Sequence, residues 1–316
     1  MKRIVKMENR KKPILSLVLG SGAARGLAHI GVLKVLEKRN LKPDLIVGSS
    51  MGAMIGGAYA AGLTTDQIEE IACRTNWKKV VQILFPKRVG RNGLLDGERV
   101  EEFLISLLGE EDIENLPVRF ACVATDLLTG EEIVLNSGSL INAIRASISF
   151  PFLFQPVKIR ENFLIDGGVV NPVPVSIARE MGAHRVIASR VTPSAEHRAR
   201  QLNSGKLVTK EKLLAAGSSS SFLQRLFGDM LERLRQEQRE ARKQRGPKIG
   251  LQKQMVQVAM TMENMILTLR LQQSPPDLLI SPPISDYQFF DFNKAEEIIA
   301  AGERAAEKAL DGWHID

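Results

Sequence analysis

The chain has 316 residues, 44% of them hydrophobic and 25% charged, with a net charge of +7. That is apolar material for one large core or two smaller ones, and it excludes global disorder. Two cysteines without C-x-x-C spacing, Cys73 and Cys122, exclude a disulfide scaffold and a cysteine zinc site, and they fit a reducing compartment.

Residues 1–13 form a basic N-terminal extension. The apolar run Ile14 to Leu19 is too short for the core of a signal peptide and ends in Gly20-Ser21-Gly22, so it reads as a strand feeding a glycine loop. Further strands are expected at Leu45 to Val47, Arg119 to Ala124, Phe163 to Ile165 and Arg185 to Ser189. Helices are expected at Ala28 to Arg39, Met51 to Ala61, Thr65 to Cys73, Gly97 to Leu108, Leu140 to Arg145 and Val175 to Met181. This alternation predicts an α/β fold over residues 14–194, with a largely parallel central sheet and helices on both faces. In such sheets the site lies at the carboxyl ends of the strands.

Residues 195–250 are polar and Ser-rich, a mobile or amphipathic insertion. Within it Phe222, Leu223, Leu226, Phe227, Met230, Leu231 and Leu234 recur at helical spacing before a basic stretch from Arg239 to Arg245. Core packing is the first reading of that stripe, a lipid interface the second and a partner surface the third. The Met-rich pattern from Met255 to Leu271 likewise reads as core, with acyl-chain contact as its alternative. Asp277 to Ile280 and Lys294 to Leu310 read as a final strand and helix, so residues 251–316 complete the fold. No stretch reaches the roughly 18 apolar residues of a membrane span, which predicts a soluble or peripheral cytoplasmic protein. The positive charge favours anionic partners, and no nucleic-acid motif is present.

Three segments carry candidate chemistry. Gly48-Ser49-Ser50-Met51-Gly52 follows a strand and opens a helix, the G-x-S-x-G context in which Ser50 is a candidate nucleophile. Gly20 to Gly26, with Gly22, Ala23, Ala24, Arg25 and Gly26 after the first strand, suits a negative oxygen. An oxyanion hole, a nucleotide pyrophosphate or acyl-CoA site in a regulatory binding module, and plain tight packing are its three uses. Asp166-Gly167-Gly168 ends an apolar strand-like run. A serine needs a base, and His29, His184, His197 and His314 all read as surface or capping residues. That leaves Asp166 as the candidate base of a Ser-Asp dyad. A Ser50, Asp166, His184 triad is the rival enzyme reading.

The glycine loop, the Gly48 to Gly52 elbow and Asp166-Gly167-Gly168, in that order, resemble the patatin-like phospholipase family, in its bacterial branch related to the catalytic domain of neuropathy target esterase. The likeness extends to Gly93-Leu94-Leu95-Asp96-Gly97, Ala124-Thr125-Asp126-Leu127, Arg145-Ala146-Ser147 and the tail from Pro276 to Phe292. It implies a three-layer patatin-like sandwich and a hydrolase of phospholipid or lysophospholipid acyl esters at an anionic membrane surface. It also implies no metal and no organic cofactor. By that resemblance Ser50 attacks the ester carbonyl, Asp166 takes the proton and later activates water, and amides around Gly22 to Gly26 hold the oxyanion. Ser21 and Ala23 depart from the glycine run usual in the family's loop. The apolar loop Ile148 to Phe154, leading towards Asp166, is a candidate acyl-pocket wall or simple core.

Overall fold

The computed structural model describes residues 13–75, 97–192 and 251–313. In chain order these form β1 (Leu15–Leu19), α1 (Ala28–Lys38), β2 (Leu45–Ser49), α2 (Met51–Ala60), α3 (Thr65–Arg74) and α4 (Glu98–Leu108). Then follow β3 (Arg119–Asp126), β4 (Glu132–Leu135), α5 (Leu140–Ser147), β5 (Val157–Ile159) and β6 (Asn162–Asp166). The last are α6 (Val175–Glu180), β7 (Arg185–Ser189), α7 (Leu251–Gln273), β8 (Leu278–Ile280) and α8 (Ala295–Leu310).

The sheet has the order β5-β6-β3-β2-β1-β7-β8, with β4 also paired to β3. β1, β2, β3, β7 and β8 run parallel, whereas β4, β5 and β6 join by antiparallel pairing. The parallel strands read as continuous apolar runs because both faces are covered. Their side chains alternate between two cores: Leu17, Ile46, Phe120 and Ile187 face one, and Val18, Val47, Ala121 and Val186 face the other. The first core is roofed by α1 to α5 and α8, the second by α6 and by Leu267 of α7. This is the expected three-layer arrangement. α1 and α8 approach to backbone contact, since a Cβ on Gly31 would meet Ile299 O at 2.1 Å and one on Gly302 would meet Ala28 O at 2.0 Å.

The strand carrying Asp166 differs from expectation in direction. β3 is long enough to overhang β2, and its partners follow from its register. Val123 faces Val134 of β4 and Ser49 of β2, while Ala124 faces Ile133 of β4 and Asp166 of β6. A strand has two edges, so β4 occupies one and β2 and β6 share the other in succession. β2 climbs to Ser49, β6 descends to Asp166, and the two strands meet tip to tip beside Val123 and Ala124.

Candidate active site

That collision shapes the site. At the tip of β2 the chain must turn away at once, and Ser50 does so at φ 54°, ψ −121°, a conformation costing a non-glycine residue about 1–3 kcal/mol. The turn needs glycine on both sides. A Cβ on Gly48 would lie 2.5 Å from Ala53 Cα, and one on Gly52 would lie 2.0 Å from Leu19 O. Ser147, at the end of α5, pins the turn: its hydroxyl accepts from Ser50 N–H (3.0 Å) and donates to Val123 O (2.7 Å). At the tip of β6, Asp166 turns into the short 3-10 segment Gly167–Val169. A Cβ on Gly167 would meet Val123 O at 2.1 Å, so this turn too is specific for glycine.

The two tips bring Ser50 and Asp166 together. Ser50 Oγ donates to Asp166 Oδ2 at 2.6 Å. The other carboxyl oxygen, Oδ1, accepts from Gly168 N–H at 2.7 Å. The Asp166 backbone is held by Thr125 Oγ1 on its carbonyl (2.8 Å) and by its own N–H on Ser149 O (3.0 Å). Asp166 is only 2% exposed. Burial pushes its carboxyl up to about 7, against the bonds from Ser50 and the Gly168 amide, which pull it down. A carboxylate poised near neutrality has the proton affinity a general base requires.

The glycine loop passes beside this pair. Its amides are mostly committed: Gly20 donates to Ser189 O, Ser21 to Pro172 O, Ala24 to Phe289 O and Arg25 to Gly22 O. Those of Gly22 and Ala23 donate to no described residue. Arg25 is buried and its Nε donates to Gly22 O at 3.4 Å, which ties this cation to the loop itself. Gly26 packs on the elbow, where a Cβ would lie 2.3 Å from Met51 Cγ.

Two residues near the loop were not foreseen. His29, expected at the surface, is fully buried. Gly20 O can only accept, so Nε2 carries the proton and donates to it (2.8 Å), and Nδ1 accepts from Ser189 Oγ (2.9 Å). Burial holds this imidazole down at about 4, against the Gly20 bond, so it is neutral. Glu263 of α7 accepts a hydrogen bond from Ser21 Oγ. Glu263 Oε1 and Asp166 Oδ1 each lie 3.0 Å from the position a Gly168 Cβ would take. A second carboxyl group therefore stands within about 6 Å of Asp166, close enough for electrostatic coupling.

His184 does not join the site. Its Nδ1 accepts from Ile14 N–H at the amino end of β7, roughly 16 Å of strand away from the carboxyl edge. The triad is thereby set aside, and His197, His314 and the Phe222 to Leu234 stripe lie outside the described residues. The Ile148 to Phe154 loop is mixed: Phe150 and Leu153 are buried and Phe152 is exposed. Arg145 braces it, donating to Ser149 Oγ (2.6 Å) and lying 5.2 Å over the Phe154 ring. Phe150 packs edge-on to Phe289 at 5.0 Å, linking this loop to the residue whose carbonyl holds Ala24. Asp126 proves to be a turn residue, its carboxylate lowered by amide bonds from Thr129 and Leu128.

Fold and site define a three-layer α/β protein with a Ser-Asp pair at a strained strand-to-helix turn. The family model for patatin-like phospholipase matches residues 17–179. An uncharacterised NTE family protein of Mycobacterium tuberculosis is 30% identical over 99% of this chain and 95% of its own length. Lysophospholipase NTE1 of Debaryomyces hansenii is 27% identical over 95% of this chain, which spans 18% of that protein. Among solved structures, VipD from Legionella pneumophila aligns over 96% of this chain and 67% of its own, at 14% identity and a TM-score of 0.46. The chain belongs to the patatin-like phospholipase family, and so to the lipid hydrolases.

Proposed function

We propose that the protein is a serine acyl hydrolase that cleaves fatty-acyl esters of phospholipids or lysophospholipids through a Ser50–Asp166 dyad, at a cytoplasmic membrane surface. The 2.6 Å bond from Ser50 Oγ to Asp166 Oδ2, inside a patatin-like domain, carries the reading. Ser50 Oγ attacks the ester carbonyl as Asp166 Oδ2 takes its proton. The positive end of α2 and the amides of Gly22 and Ala23, which donate to no described residue, are the donors for the oxyanion. Collapse of the tetrahedral species expels the alcohol, which receives the proton from Asp166 and leaves an acyl ester on Ser50. Asp166 then deprotonates a water that attacks this ester, releasing the fatty acid and restoring Ser50. The free cysteines support a reducing compartment, and the +7 charge supports an anionic surface. No helix among the described residues is long and apolar enough to cross a membrane. The Ser50 to Asp166 bond and the family favour this reading over a nucleotide or acyl-CoA binding module.

The test is hydrolysis of a p-nitrophenyl ester series and of mixed phospholipid vesicles. Folded Ser50→Ala and Asp166→Asn proteins are each expected to lose roughly 1,000-fold or more in kcat/KM. Activity retained without Ser50 would sink the mechanism.

A further inference from the structure

α7 is sparsely covered by the rest of the described fold. Its buried side chains, Asn264 and Leu267, lie in the second half, whereas nothing from Gln254 to Met262 is buried. Glu263 marks the divide, because its carboxylate meets Ser21 at the carboxyl edge of the sheet. The first half of the helix therefore stands clear of the core and ends at the residue that meets Ser21 and lies within about 6 Å of Asp166. Met255, Val258, Met262, Met265 and Leu269 follow one another at alternating three- and four-residue steps and are 38% to 61% exposed. They form one continuous apolar stripe.

Its flanks are unusual for a surface helix. Every exposed position from Gln254 to Gln273 is uncharged. The ionisable side chains in that stretch, Glu263 and Arg270, both turn inward, Arg270 donating to Val170 O at 3.1 Å. A second copy of the chain would be specified by charges beside the seam, which are missing, and it would cover the approach to the site. The remaining large exposed apolar residues point the same way. Leu127, Leu128 and Phe163 cap the overhang of β3 and β6, Phe152 sits in the loop leading to Asp166, and Phe290 follows the residue that holds Ala24. Only Leu279, on the edge strand β8, lies elsewhere among the described residues. The overhang's cations, Lys158 and Arg160, are outnumbered by the carboxylates of Asp126, Glu131, Glu132 and Glu161, so positive charge does not draw this rim to an anionic surface.

We infer that the Met-rich face of α7, continued by the apolar rim of the β3–β4 and β5–β6 turns, is the surface by which the protein inserts into a lipid–water interface. The inference rests on the lipid hydrolase reading above and specifies the face that meets the lipid. Flexible methionines suit irregular acyl packing. Insertion of apolar side chains, led by the uncharged face of α7, rather than attraction of charge alone, holds the site against the bilayer.

Flotation of the full Ser50→Ala chain with phosphatidylcholine vesicles, with and without phosphatidylglycerol, tests it without hydrolysis. Adding Val258→Ser, Met262→Ser and Met265→Ser is expected to weaken partitioning roughly 100-fold on both vesicle types. With Ser50 restored, turnover of a soluble short-chain ester should be unchanged. Unaltered flotation overturns the inference, as does binding confined to anionic vesicles, or a sedimentation-detected dimer that the three serines break. A bimane probe on Met262→Cys, in a Cys73→Ser background, should shift blue on vesicles, and no shift overturns the inference even where the triple variant folds poorly. A wild-type chain that floats yet hydrolyses neither substrate leaves the docking face standing and sinks the hydrolase.

Discussion

His29 and Asp166 are both buried ionisable residues at the carboxyl edge of the sheet, and burial moves them in opposite directions, to about 4 and about 7. In each case the neutral form gains. The difference lies in what their partners can do. Both ring nitrogens of His29 are committed, one to a backbone carbonyl that can only accept, so its tautomer is fixed and it has no proton to exchange. Asp166 spends one oxygen on an amide and offers the other to a hydroxyl whose proton can move. The first arrangement fastens the start of the glycine loop, and the second is suited to catalysis.

The largest effects that sharpen this contrast are in stability against pH. Asp166 has a folded value raised above 3.8, so its protonated form stabilises the protein below that pH, and the contribution is lost as pH rises through about 7. At pH 8 Asp166→Asn should therefore be more stable than wild type, by about 4 kcal/mol at most, with the gain vanishing near pH 4. His29 has a folded value lowered below 6.5, so its contribution is present above 6.5 and is lost as pH falls through about 4. The stability of His29→Gln relative to wild type should improve by about 3 kcal/mol on going from pH 7 to pH 4. Urea midpoints from pH 4 to 8 check both, and difference curves of the same sign would end the contrast.

These two residues also mark what the sequence discloses. The Ser50 elbow is legible because its constraints are local: Gly48 and Gly52 are dictated by atoms of the strand-turn-helix unit and the adjoining end of β1. Asp166 is legible as the residue before Gly167-Gly168, although what dictates Gly167 is Val123 O of β3, a tertiary neighbour, and the direction of its strand is not legible. β4 and β5 have four and three residues, too short for any period, and without them the meeting of β2 and β6 cannot be deduced. His29 sits in an ordinary helical pattern, and its partners lie 9 and 160 residues away. Glu263 is 242 residues from Ser21, on a helix whose methionines read as core and are instead largely exposed. Tertiary approach, not local pattern, sets these features.

Glu263 allows the smallest and sharpest test of whether Asp166 is tuned by its neighbourhood or by burial alone. Glutamine keeps an oxygen to accept from Ser21 but removes a charge within about 6 Å of Asp166, where an anion favours the protonated acid. Loss of that charge should lower the Asp166 value and extend activity towards acid. In Glu263→Gln the acid limb of kcat/KM for a soluble ester is expected to move down by about one pH unit or less, with the plateau nearly unchanged. A residue that merely anchored α7 would lower the plateau and leave the limb in place. An unmoved limb would assign the elevation of Asp166 to desolvation alone, and Glu263 would then act only by holding α7 against the glycine loop.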